Sequence, residues 1–278
     1  MTTDLSRILT KASGVLWTGG PERFLSGDSR AYLRCYIWGI LVCGACAQMV
    51  TIPAGSFQMG SSQGERDETP VHTVSLSEFR MDQYEVTKAD YDSCVSDGAC
   101  TRAHYSDGKC IMWTSSGPEK VRVPERLTSS EFPVVCVDWY QARQYCRYRR
   151  KRMPTEAEWE FAALGGGDGP YSWGDEPPGA ERCHSASRKS PVKPGRYEPN
   201  GYGLYDMTGN VWEWTSDRYA KDYYSESDTV NPQGPSVGRY RVIRGGGWYS
   251  GVQQLRVRKR QWFAPEYGEV SVGIRCVE

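Results

Sequence analysis

Residues 200–214, NGYGLYDMTGNVWEW, hold four aromatics, three glycines and two carboxylates. Asp206, Gly209, Val211 and Glu213 lie two or three positions apart. Two carboxylates and loop carbonyls, all hard oxygen donors, are a ligand set suited to calcium. The same composition fits an aromatic core turn whose acids are solvated or pair with arginines. Glycines at 201, 203 and 209 weaken any helix or strand, so a compact irregular segment is expected.

Other side chains with reactive chemistry are few. There are three histidines, His72, His104 and His184, and ten cysteines. The chain carries no CxxC pair matched by a second Cys or His pair, so a structural zinc site is not expected. Cys183 and His184 are neighbours in sequence, whereas nucleophile–base pairs meet in space. No GxSxG, P-loop or dinucleotide fingerprint occurs. Ten cysteines read better as disulfides made in an oxidising compartment.

The elements that must position these residues can be read in chain order. Ile52 to Met59 suggest a strand broken by Pro53 and Gly55, and Val74 and Leu76 alternate in a second. Thr87 with Asp90, Asp138 with Gln141, and Thr155 with Glu158 are capping pairs that open three helices. Asp97-Gly98 is a turn that can fold Cys100 back on Cys94, and Cys110 is paired with Cys136 as a weaker expectation. Residues 101–132 read as one long polar loop. Arg147, Arg149, Arg150, Lys151 and Arg152 read as a solvated helix end that suits the dipole. Arg241 to Arg244 read as a strand, and so do Leu255 and Val257. Gly245, Gly246 and Gly247 allow close backbone approach.

Lys and Arg number 34 and so do Asp and Glu. No net field argues for nucleic acid or an anionic membrane. Ten tryptophans and eighteen tyrosines point to a core of amphipathic aromatics, and thirty glycines with sixteen prolines to many turns. Arg30 and Arg34 precede a short apolar run, and Ala45-Cys46-Ala47 follows it. This resembles a secretory signal, too short for a membrane span. A buried strand is the other reading. The expected organisation is an N-terminal extension over 1–29, a signal segment over 30–47 and one domain over 48–278, monomeric and secreted or periplasmic.

Six sequence blocks carry a family resemblance. They are IPAGSFQMG at 52–60, ETPVHTVSLSEFRMDQYEVT at 68–87, CVDWYQARQYCRYRRKRMPTEAEWEFAA at 136–163, the segment 200–214, RVIRGGGWYS at 241–250 and VGIRC at 272–276. In this order the chain resembles the formylglycine-generating enzyme (sulfatase-modifying factor) family over residues 49–278. The resemblance implies an α/β (α+β) fold of low regular secondary structure, related to C-type lectins. It implies a disulfide between Cys146 and Cys276, which leaves Cys183 over. It implies one calcium ion, with side-chain oxygens from Asp206 and Glu213 and carbonyls from Gly209 and Val211. The family's second calcium loop is shortened here.

Family enzymes oxidise a cysteine of a sulfatase peptide with oxygen and copper(I), held by a C-x4-C pair after the Gly-Gly turn. The matching positions are Ser250 and Leu255. Soft thiolates suit copper(I), a hydroxyl suits it poorly and leucine offers no donor. The serine usual after the Gly-Gly pair is Gly247. Copper is therefore not expected. Related iron-dependent sulfoxide synthases draw histidines from an added helical domain, which is not expected here. The expectation is a calcium-stabilised binding or accessory domain. Its groove near Trp248, Tyr249 and residues 101–132 would take a peptide, protein or glycan. The alternative is a formylglycine-generating oxidase or related oxygenase.

Overall fold

Local capping chemistry starts all three helices in this computed structural model, which describes residues 48–186 and 189–278. The expected extension and signal segment lie outside the described residues. Helix α1 (Lys88–Ser96) has Thr87 as N-cap and Asp90 as its reciprocal partner. Helix α2 (Trp139–Tyr148) has Asp138 and Gln141 in the same roles, and α3 (Glu156–Leu164) has Thr155 and Glu158. Each pair satisfies donors that a helix N-terminus otherwise leaves bare.

The strands are short. Pro53-Ala54 separates β1 (Met49–Ile52) from β2 (Gly55–Met59). They pair antiparallel with β4 (Phe79–Asp82) and β3 (His72–Leu76) respectively. The polar region 101–132 is not all loop. It contains a hairpin of β5 (Cys110–Thr114) and β6 (Gly117–Lys120), joined to β10 (Gly268–Glu269). The four-stranded sheet runs β11 (Val272–Gly273), β7 (Trp212–Arg218), β8 (Arg241–Arg244), β9 (Gln261–Phe263). Leu255 and Val257 are not in a strand. Val252–Leu255 forms a 3-10 turn, and Val257 packs in the core.

Among the described residues five of the seven strand pairings are antiparallel. The expected α/β (α+β) architecture with much irregular backbone is what the structure has.

Helix α3 is buried all round, carboxylates included. Glu156 accepts from Arg260 Nε and Nη2 at 2.8 and 2.9 Å and from Arg244 at 3.2 Å. Arg244 also pairs with Glu160, which takes Gly60 N at 2.9 Å. Burial works to raise the Glu156 pKa, but Arg260 and Arg244 outweigh it and hold it below the ordinary value. This network ties α3 to β8 and to the N-terminal strands.

Disulfides link Cys94 to Cys100, Cys110 to Cys136 and Cys146 to Cys276, with Cα separations of 5.3, 5.2 and 5.6 Å. These are the pairs expected above. The third fastens α2 to the C-terminal segment. No helix among the described residues is long and apolar enough to cross a membrane.

Candidate functional site

A groove of about 560 Å3 opens where the four-stranded sheet meets the β5–β6 hairpin. Trp212, Ile243 and Phe263 form its sheet side, Trp113 and Pro118 come from the hairpin, and Tyr249, Ser250 and Gln254 from the loop after β8. Trp113 is 53% exposed and Trp262 40% exposed, an unusual presentation for tryptophan. Trp262 is braced by Tyr240, ring centroids 4.3 Å apart.

Tyr249 lines the groove as expected, but Trp248 does not. Trp248 is 3% exposed, donates from Nε1 to Val270 O at 3.1 Å, and packs with Val211 and Val270 in the core. Its indole N–H needs a buried acceptor, and the strand region beside β10 supplies one.

Ser250 and Leu255, the positions that the resemblance matches to the copper cysteines, each have packing or hydrogen-bond partners of their own. Ser250 lines the groove, and its Oγ accepts from Gly247 N at 2.9 Å. Leu255 is fully buried with Tyr171 and Cys183. A Cβ on Gly246 would lie 2.7 Å from Leu255 Cδ2, and one on Gly247 would lie 2.8 Å from Ser271 Cβ. The missing side chain at 247 is thus space that Ser271 and Trp212 already occupy. Cys183, distant in sequence, comes beside Leu255. Its Sγ is 3.5 Å from Ser185 Oγ, and it does not line the groove. One thiol, one hydroxyl and a leucine do not make a two-thiolate copper site.

Sequence reasoning missed Glu269. It is the one charged residue lining the groove, and it is 3% exposed. Tyr249 Oη donates to its Oε1, and Ser271 N and Oγ donate to its Oε2 at 2.6 and 2.7 Å. Burial pushes its carboxyl up to about 7, against the lowering effect of those donors. One of two glutamates in EYGEVSVG carries no local signal of this role. It acquires one only when β10 pairs with β5 and Tyr249 folds over it.

Of the segment 200–214 only Trp212 lines the groove, and its acids lie elsewhere. Asn200 receives Tyr202 N and Leu204 N on Oδ1, each at 3.1 Å, and donates to Ala162 O at 2.8 Å, docking the segment on the end of α3. Asp206 and Asn210 take left-handed backbone, both at φ 56°, which Asp and Asn tolerate better than most residues. Glu213 is held by Arg275, with Nη2 to Oε1 at 2.8 Å, and by Trp159 Nε1 to Oε2 at 2.7 Å. Glu213 thus pairs with an arginine, the partner that the core-turn reading of this segment gives its acids.

Asp206 accepts from Gly195 N at 2.6 Å, and burial pushes its carboxyl up to about 6. Glu85, fully buried, accepts from Asn210 Nδ2 at 2.5 Å and Val211 N at 3.1 Å. Burial first, then Asp206 and Glu213, raise Glu85 well above the ordinary value.

Calcium is the ion implied for this place. Burial and mutual repulsion work against ionising Glu85 and Asp206 beside Glu213, with Arg275 as the cation among them, and a divalent cation there would favour their charged forms. Asp206 has oxygen capacity left for it, whereas both Glu213 oxygens are already engaged. Among the described residues no group of three or more His, Cys, Asp or Glu is arranged to hold a metal, so backbone carbonyls would have to complete the set.

The histidines are scattered. His72 Nδ1 lies 3.0 Å from Pro70 O and its ring sits against Tyr224. His184 Nε2 is 2.7 Å from Ser190 O. His104 lies between Asp107 and Asp138, at 2.6 and 3.2 Å. Burial opposes its charged form, but the two carboxylates win and raise its pKa. None of the three lines the groove.

A model of the sulfatase-modifying factor enzyme 1-like domain matches residues 42–278. The chain is 36% identical over 277 residues to a formylglycine-generating enzyme of Streptomyces coelicolor, covering 82% of this chain and 88% of that one. It is 38% identical to the serine/threonine-protein kinase pkn1 of Chlamydia pneumoniae over 83% of this chain, spanning only 38% of that kinase. Among solved structures, PvdO from Pseudomonas aeruginosa superposes with TM-score 0.72 at 27% identity, over 84% of this chain and 95% of that one. The chain belongs to the sulfatase-modifying factor, or formylglycine-generating enzyme, family.

Proposed function

We propose that this chain is an exported, calcium-stabilised accessory domain that grips a cationic peptide segment in its aromatic groove and does not generate formylglycine. The observation that carries the reading is the lining of the groove. It holds Ser250 where copper chemistry needs a thiolate, and Glu269 as its single charge, among exposed aromatics. Aromatic faces and a lone carboxylate suit an ammonium or guanidinium group, through cation–π attraction and a charge-assisted hydrogen bond. The three disulfides support export, since such bonds persist in oxidising compartments. Calcium, held at Asp206 with the carbonyls of Gly209 and Val211, would supply positive charge to an acid-rich interior and so rigidity rather than reactivity. A residual oxidase is the second reading, favoured by the position of Cys183 beside Leu255.

Calorimetry with short lysine- and arginine-containing peptides tests the groove. Binding is expected at pH 8 and is expected to weaken as pH falls through about 7, because Glu269 must be ionised to hold a cation. Glu269→Gln is expected to weaken it about tenfold or more, the scale of a charge-assisted bond. Acetyl-lysine or neutral glycan ligands binding as tightly as the cationic peptide would defeat the proposal.

A further inference from the structure

Helix α2 places Trp139, Arg143 and Arg147 one turn apart on a single face. Arg241 reaches the same place from β8. Its guanidinium carbon lies 3.7 Å from a Trp139 ring centroid, and that of Arg143 lies 5.5 Å away. With Arg152 these arginines surround a cavity of about 460 Å3, with buried Trp139 against it and no acidic residue in its lining. The cavity is separate from the aromatic groove and shares no lining residue with it.

The charge here is poorly balanced. Arg152 is bridged to Glu158 at 2.6 and 2.7 Å. Among the described residues Arg143, Arg147 and Arg241 close no salt bridge, and Arg241 instead donates to Ser216 O at 2.7 Å. Burial first, then repulsion from Arg218, with a smaller part from Arg143, holds Arg241 below the ordinary guanidinium range. Asp217 is in its field, but burial pushes that carboxyl up to about 7, so it offsets the arginines only in part at neutral pH. Two other cations of the basic run turn elsewhere: Lys151 pairs with Asp82, and Arg149 donates to Tyr145 Oη at 3.3 Å.

We propose that this cavity binds a phosphate or sulfate ester. Arg143, Arg147 and Arg241 present fork-shaped donors to a tetrahedral oxyanion. Trp139 and the remaining volume take the organic body, which a bare ion would leave empty. Sugar and amino-acid esters share this chemistry, and the test separates them.

The test is thermal melting and calorimetry on the full chain, with glucose 6-phosphate, glucose 6-sulfate, O-phosphoserine and inorganic phosphate at one ionic strength set by chloride. At least one ester is expected to raise the melting temperature above the chloride control and to bind more tightly than inorganic phosphate. Arg143→Gln with Arg147→Gln, both exposed positions, is expected to weaken that ester about tenfold or more while the unliganded melting curve stays the same. Arg241→Lys is expected to weaken it too, since an ammonium lacks the planar fork. Three results would overturn the site: no ester acting beyond chloride, inorganic phosphate alone binding, or the double variant binding the ester as tightly as the parent.

Discussion

Glu213 and Asp206 belong to one segment but answer to different forces. Both Glu213 oxygens are engaged by Arg275 and Trp159, so Glu213→Gln removes the counter-charge of a fully buried arginine. A loss of roughly 3–5 kcal/mol is expected, as for other broken buried pairs. That loss would appear with or without calcium and cannot report on the ion. Asp206 is half-buried and carries one backbone donor, so Asp206→Asn is the discriminating change. The parent melting temperature is expected to rise with calcium and fall with chelator, and Asp206→Asn is expected to abolish that response. An undiminished response would remove Asp206 from the site. Composition alone left both fates of the acids open, because Arg275 lies 62 residues from Glu213 in sequence. Glu269 was invisible for the same reason, being defined by Tyr249, which is 20 positions away.

At the level of elements, the legible parts were those with local causes. A capping box spans four residues, and all three were readable. Thr155→Ala is expected to cost about 1 kcal/mol in chemical denaturation, the usual worth of an N-cap. Glu160→Ala should cost more, roughly 3 kcal/mol, by removing the closer of the two carboxylates that pair with buried Arg244; equal losses in the two variants would argue against the buried network. Elements whose residue pattern does not match their structure are the ones the sequence does not show. The β5–β6 hairpin hides in a polar stretch because β6, Gly117–Lys120, is mostly exposed and its pairing with β5 supplies the order. Leu255 and Val257 alternate like a strand, yet the approach of Leu255 to Gly246 and the turn at Val252–Leu255 decide their place. The spacing of Trp139, Arg143 and Arg147 was present in the sequence, but their meeting with Arg241 required the β8 strand.

Across the whole molecule, two long-range fastenings hold the irregular backbone around the sites. One is the α3 glutamate network with Arg244 and Arg260. The other is the bridge from Cys146 to Cys276, which closes 130 positions of chain. Replacing both cysteines with serine is expected to destabilise by about 4–5 kcal/mol on the loop-entropy account, read as a lower urea midpoint. An unchanged midpoint would mean that the other contacts of the C-terminal segment suffice. The chain keeps the fold of its family, and the proposal that it makes no formylglycine rests on the serine, leucine and glycine at 250, 255 and 247. The most direct measurement incubates the calcium-loaded protein with a Cys-x-Pro-x-Arg peptide, copper, reductant and oxygen, and follows the peptide by mass. The account predicts no aldehyde from the parent chain, with Ser250→Cys plus Leu255→Cys as the comparison that restores the thiol pair. Aldehyde formed by the parent with repeated turnover would contradict it.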